Sequence, residues 1–230
     1  MLHLTSLKKT FRSFSLSIDN IQINSPGIYG IFGHNGCGKS TLAKLISGIM
    51  KPDSGQININ IEKKDVTMIT QKPYIMDDTV FNNLAYPLRL RRTFDKSLCD
   101  EFLKLAYLFE RKNEKARGLS GGEKQKLALL RAMIFRPKLV ILDESLTELD
   151  LDSLDLFENM ILEQQRNEQS IWIIISHQLA QVRRLCGYVF FMANGCLKAE
   201  GSTEDMFKPA TENPEISRFL KHELLQMEAL

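Results

Sequence analysis

No stretch of this chain approaches the roughly 18 consecutive apolar residues that a membrane-crossing helix needs, so it is not expected to cross a bilayer itself. Nor does charge of one sign prevail. Thirty Lys and Arg stand against 28 Asp and Glu, a formal net charge of +2. A nucleic-acid binder carries a strongly basic footprint, so direct nucleic-acid contact is not expected. Cysteine is scarce. Cys37, Cys99, Cys186 and Cys196 are widely spaced, and no pair has zinc-ligand spacing. That argues against a disulfide framework and for a reducing, cytosolic setting. The N-terminal residues Met1 to Lys9 hold no long apolar run, so no signal peptide is expected. Internal repeats and low-complexity segments are lacking too. What is present is ordinary for a globular protein: 43% apolar and 25% charged residues in a chain of 230. That length suffices for one domain, or for a domain with a subdomain.

The most informative stretch is Gly33 to Thr41, Gly-His-Asn-Gly-Cys-Gly-Lys-Ser-Thr. It fits the phosphate-loop pattern, with a further glycine at Gly36. Small residues let the backbone curl until several N–H groups converge on one anion, and the helix that follows adds its positive end. In this pattern Asn35, Gly36, Cys37, Gly38 and Thr41 belong to the cradle. Lys39 reaches the outer phosphates and the Ser40 hydroxyl can ligate Mg²⁺. The context is right: an apolar run, Ile28 to Phe32, precedes the loop. Helical spacing (Leu42, Leu45, Ile46, Ile49) follows over Thr41 to Met50.

Upstream, His3 to Ile23 reads as antiparallel strands with a turn at Asp19-Asn20. Downstream, Gln56 to Ile61 and Val66 to Thr70 read as strands, the second ending at Gln71. From 72 to 118 the apolar residues take helical spacing, which predicts a small inserted helical subdomain. Its cluster of Arg89, Arg91 and Arg92 reads as a solvated helix face. Ser120-Gly121-Gly122-Glu123 is a capping box opening a helix over Leu119 to Phe135. Lys138 to Leu142 is a short strand running into Asp143-Glu144, and Leu151 to Glu168 is an amphipathic helix. Ile171 to Ser176 has the near-continuous apolar character of a strand buried on both faces, with His177 at its end. Tyr188 to Met192 and Cys196 to Glu200 form a hairpin around Ala193-Asn194-Gly195. Glu204 to Leu230 reads as a helical tail with a break at Pro209. The alternation of strands and helices in the later half predicts an α/β fold with a parallel sheet.

A phosphate loop alone leaves a kinase, a GTPase, a helicase and a transporter ATPase open. Taken with five further stretches, it resembles the nucleotide-binding subunit of the ATP-binding cassette (ABC) family, from Leu4 to Phe207. Leu119 to Glu123 resembles the family's signature loop, Leu-Ser-Gly-Gly-Gln, with Glu123 in place of glutamine. The resemblance implies that Ser120, Gly121 and Gly122 contact the γ-phosphate of an ATP held by a partner subunit, and Glu123 lies near the nucleotide sugar. Leu139 to Glu144 resembles the Walker B strand, which gives Asp143 to Mg²⁺ and Glu144 the part of general base or water-orienting residue. Leu149-Asp150 resembles the loop that crosses the dimer interface, though the residues leading into it, Ser145 to Glu148, depart from the family's. His177 resembles the switch histidine, and Gln71 the glutamine that ligates Mg²⁺ and senses the γ-phosphate. Phe11 stands where the family stacks an aromatic ring on adenine, with Phe14 as a competitor.

The resemblance implies a P-loop NTPase cassette: a mixed, mainly parallel core sheet, an N-terminal antiparallel β-subdomain and an inserted helical subdomain. The nucleotide-binding core takes residues 1–71 and 136–207, the helical subdomain 72–135, and the tail 208–230. It implies an ATPase working as a head-to-tail dimer, most simply a homodimer, with ATP and Mg²⁺ as cofactors. Catalysis would rest on Lys39, Glu144 and His177. Transport would then need separate integral membrane permease subunits and, for an importer, a solute-binding protein met only indirectly. That places the chain on the cytoplasmic face of a prokaryotic membrane. The closing stretch looks closest to importers of oxyanions such as tungstate, molybdate or phosphate. The alternative is a soluble ABC ATPase that remodels ribosomes, DNA or iron–sulfur assemblies.

Overall fold

The computed structural model describes residues 1–208, 216, 217 and 219. Apart from those last few positions, the helical tail expected over 208–230 lies outside the described residues. The strands are β1 (Leu2–Thr10), β2 (Ser15–Ile23), β3 (Gly27–Gly33), β4 (Ser54–Ile59), β5 (Val66–Ile69), β6 (Leu139–Asp143), β7 (Ile171–Ile175), β8 (Tyr188–Ala193) and β9 (Cys196–Ser202). The helices are α1 (Lys39–Ile46), α2 (Val80–Leu90), α3 (Lys96–Leu105), α4 (Gly121–Met133), α5 (Leu151–Glu168), α6 (Leu179–Leu185) and α7 (Thr203–Met206). The chain divides into two compact units, one made of Met1–Lys63 together with the chain from Ile171 onward, the other of Lys64–Ser170.

The first unit is built on strands in the order β4-β1-β2-β9-β8-β3-β7. β1, β2 and β4 pair antiparallel, as expected for the N-terminal β-subdomain. β3 lies parallel to both β7 and β8, so the sheet is mixed. Five Ile and Trp residues of β7 and the apolar run of β3 are buried on both faces. Each such side chain contributes about 1.5–3 kcal/mol relative to exposure, which is why these strands carry no polar alternation.

Two local readings of the sequence are corrected here. The chain does not turn at Asp19-Asn20. Asn20 is paired with Thr5 inside the β1–β2 ladder, and the turn lies at residues 11–14, closed by Phe11 N–H donating to the Phe14 carbonyl at 2.7 Å. The apolar residues of β2 change phase between Ile18 and Ile21, and those of β1 between Leu4 and Leu7. Both slips are absorbed where Ser6, with φ of 48°, bends β1. The helix after the phosphate loop is also shorter than expected. It ends at Ile46, capped by Ser47 and followed by Gly48 at φ 75°, so Ile49 falls beyond it and is 67% exposed.

The second unit pairs β5 and β6 in parallel, Ile69 opposite Leu142, and stacks α2, α3 and α4 with α5 following. Thr79 and Asp95 cap α2 and α3 by accepting from backbone N–H groups two or three residues on. Of the arginine cluster, Arg91 is not a solvated side chain. Its guanidinium lies 3.7 Å from the Phe135 ring centroid and donates to the carbonyls of Pro87 and Lys64. The stacking face of a planar guanidinium makes it good at this packing.

Candidate active site

In the first unit, β3 runs straight into the phosphate loop and α1 out of it. Gly33 has φ of +146°, and a Cβ there would sit 2.0 Å from the Met192 carbonyl, so only glycine lets β3 lie this close to β8 as it turns. Gly38 is the N-cap of α1 with φ of +107°, and its face is covered by the rings and methyls of Phe14 and Leu16. Between them the loop closes on itself: Cys37 N–H donates to the His34 carbonyl at 3.3 Å, and the Cys37 carbonyl accepts from Gly195 N–H at 3.1 Å. The hairpin glycine thus ties β8–β9 to the loop.

Lys39 is 5% exposed, and its ammonium donates to the carbonyls of Gly33 at 2.8 Å and His34 at 3.0 Å. The cation is therefore held against the concave side of the loop, where it adds to the helix end. Burial raises the Cys37 thiol above its ordinary pKa, with Lys39 pulling the other way. Asn35 and Gly36 are exposed on the loop, Ser40 is exposed on the first turn of α1, and Thr41 is half-buried beside it. Ile31 pairs with Ile175, so the carboxyl ends of β3 and β7 are level and His177 follows β7 on the same edge as the loop. That edge is where open α/β sheets bind ligands. Phe11 is 40% exposed, whereas Phe14 is half-buried against Gly38, their rings stacked at 6.3 Å. Phe14 is packing for the loop. Phe11 has the open face.

The second unit gathers the rest. Asp143 closes β6 and is 6% exposed; Gln71 follows β5 on the same edge and is exposed. Glu144 has φ of 52°, a left-handed backbone that costs a non-glycine residue about 1–2 kcal/mol. Its carbonyl accepts from the Thr147 hydroxyl at 2.8 Å, which locks the turn. Such strain redirects a side chain from the line of its strand.

Ser120 caps α4, accepting from Glu123 N–H at 3.3 Å, while Glu123 accepts from Ser120 N–H at 2.8 Å. The capping box is complete, as the sequence pattern requires. The segment after β6 lies against α4. Gln125 donates to the Ser145 carbonyl at 2.5 Å, and Lys126 lies 3.3 Å from Asp150. Asp150 is the N-cap of α5, accepting from the N–H and hydroxyl of Ser153, and those bonds hold its carboxyl down at about 2. Sequence reasoning missed Arg111. Its Nη1 donates to both oxygens of Glu123 at 2.7 Å and, with the Ser120 N–H, holds that carboxyl at about 2. No spacing rule pairs residues twelve apart across a turn.

Among the described residues no group of three or more His, Cys, Asp or Glu could hold a metal ion alone. The Ser40 hydroxyl of the first unit and the Asp143 carboxylate of the second are each oxygen donors of the kind Mg²⁺ takes, with its remaining oxygens from phosphate and water.

The family model described as ABC transporter matches residues 16–147, from β2 past the strained glutamate. The chain belongs to the ABC transporter family. Its membership brings ATP binding and ATP hydrolysis with it. The tungstate uptake system ATP-binding protein of Peptoclostridium acidaminophilum is 34% identical over 84% of this chain and 94% of that one. The molybdate/tungstate import ATP-binding protein of Methanocaldococcus jannaschii is 31% identical over 100% of this chain and 80% of that one. A methionine import ATP-binding protein of Clostridioides difficile is 29% identical over 90% and 70%. Among solved structures, an ATP-binding subunit of an ABC transporter superposes with a TM-score of 0.83 at 22% identity, covering 97% of this chain and 99% of that one. It agrees with the α/β cassette fold expected above.

Proposed function

We propose that this chain is the ATP-hydrolysing subunit of a membrane import system, itself making no solute contact, and that the system serves an oxyanion of the tungstate or molybdate class. The observation that carries the ATPase part is the buried Lys39 ammonium, fixed by two carbonyls inside a glycine turn at a helix start. The solute class leans on the names of its tungstate and molybdate relatives. The cassette core would take residues 1–71 and 136–207 and the helical subdomain 72–135, with 208–230 as a tail.

Lys39 and the loop N–H groups of Gly36, Cys37, Gly38 and Thr41 bind the phosphates, and Asn35 and Gly33 shape the turn. Phe11 stacks on the base. Ser40, Asp143 and Gln71 hold Mg²⁺, which neutralises phosphate charge when bound. Glu144 orients the attacking water and accepts its proton, and His177 hydrogen-bonds the terminal phosphate. Ser120, Gly121, Gly122 and Glu123 meet the nucleotide of a second copy, and Asp150 lies on that dimer face. Closure of the two copies assembles the site and product loss releases it. Among the described residues no helix is long and apolar enough to cross a membrane, so permease subunits would supply the path. A cleft of about 370 Å³ beside β5, lined by Tyr74, Tyr86, Leu90 and Phe135, suits a short permease helix. The chain would then lie on the cytoplasmic face of a prokaryotic membrane.

Glu144→Gln is expected to bind ATP and turn it over about 10²–10⁴-fold more slowly. Tagged and purified in detergent with ATP, that variant should bring down a multi-spanning membrane protein, identified by mass spectrometry. Recovery of ribosomal or scaffold proteins with no membrane protein would overturn the transport reading. Normal turnover would remove Glu144 from its role.

A further inference from the structure

We propose that Arg111 is a positioning residue of the signature loop: it neutralises and orients Glu123 so that an acid can stand where the family's loop carries glutamine. The inference rests on reading Ser120 to Glu123 as the second phosphate site.

The first turn of a helix offers N–H groups with no partner inside the helix, and their field draws an anion. A bare carboxylate three residues in would occupy that field itself and repel an arriving phosphate. Glu123 is such a carboxylate, bonded through Oε2 to the Ser120 N–H at 2.8 Å. A second acid borders the same helix end, since Glu148 Oε2 lies 3.8 Å from where a Cβ on Gly121 would stand. Arg111 answers this charge. Its Nη1 meets both oxygens of Glu123 at 2.7 Å, and its Nε and Nη2 meet Glu114 at 3.0 and 2.8 Å. The guanidinium is therefore held from two sides. The turn that presents it is fixed as well: Arg111 N–H donates to Leu108, and the Arg111 carbonyl accepts from Glu114 N–H at 2.9 Å. The nearby cations Lys115 and Arg117 are ion-paired with Asp77.

A purely structural capping box does not need this partner, because a glutamine at 123 would close the same box with its amide oxygen. The need for Arg111 is specific to the charge of Glu123, and that separates the proposal from a packing role. The test uses the full chain and its ATPase kinetics. Arg111→Ala is expected to raise KM for ATP about five- to tenfold, allowing for the partial exposure of the pair. Raising KCl should shrink the difference, because salt screens the exposed carboxylate. In a Glu123→Gln background the same Arg111→Ala change should move KM by less than about twofold, the signature of a coupled pair. Equal effects in both backgrounds, or an effect that salt leaves untouched, would overturn the proposal. If Arg111→Ala does not fold, Arg111→Lys takes its place; it keeps the charge but not the fork, and an intermediate effect is expected. Gly122→Trp tests the underlying reading separately. If it leaves turnover intact, the second phosphate site falls and this inference with it. If it abolishes turnover while Arg111→Ala is silent, only the inference falls.

Discussion

The ammonium of Lys39, buried and donating to Gly33 and His34, shows how a single side chain ties the loop's shape to its charge. Lys39→Ala is expected to weaken ATP binding about 10²-fold, as loss of a charge-assisted hydrogen-bonded group does, with fluorescent-nucleotide titration as the check. Carboxylates act at this scale too. Glu123 and Asp150 both sit near a pKa of about 2 in the folded chain, Glu123 through Arg111 and Asp150 through Ser153. In the unfolded chain they titrate near about 4. Their stabilisation is therefore complete above about pH 5 and is lost as pH falls towards about 2. Thermal melts against pH should decline over that window, and Asp150→Asn should decline less steeply than the parent chain. The motif residues were legible in the sequence because a phosphate loop and a capping box are local, written in consecutive positions. Arg111, and the contacts of Phe14 and Gly195 with the phosphate loop, were not, because each acts across space on a partner that no local spacing announces.

At the level of elements, the start of α4 was read well, whereas the end of α1 and the strand interiors were read less well. Ser120 and Glu123 announce the start of α4 because both halves of the capping box lie within four residues. Ser120→Ala is expected to cost about 1 kcal/mol, and a drop in Tm of about 2–4 °C in scanning calorimetry would register it. Gly38→Ala should do worse than its small size implies. The left-handed backbone adds about 1–2 kcal/mol and the Phe14 ring lies 2.8 Å from the new methyl. Loss of both Tm and nucleotide binding is the expected readout. The turn in the first hairpin was misread because Asp19-Asn20 has turn chemistry, while the actual turn at residues 11–14 holds no glycine, proline, asparagine or aspartate. The sign of it lay in the phase slip of the apolar residues on both strands, which marks an irregular ladder rather than a reversal. Similarly, the apolar period carried α1 one turn too far to Ile49, past a glycine that had already ended it.

For the whole molecule, the strand order and the chain order disagree. β3 is the strand that delivers the phosphate loop, and both of its neighbours in the sheet, β7 and β8, come from Ile171 onward. In the sequence, the whole of the second unit falls between β3 and β7. A fragment of residues 1–170 keeps the complete phosphate-loop motif yet is expected to bind no ATP and to scatter light at micromolar concentration; equilibrium dialysis and light scattering would check both.

The same arrangement governs how the chain is made. On the ribosome, Ile28 to Phe32 emerge early as an apolar strand with neither partner yet synthesised, and they wait through the translation of Lys64–Ser170. Pairings this distant in sequence close slowly, and an unpaired apolar edge invites association meanwhile. The second unit, continuous in the chain, has no such wait. Nascent chains should therefore depend on chaperones up to the release of β8, and acquire nucleotide affinity abruptly at that point rather than when the loop itself appears.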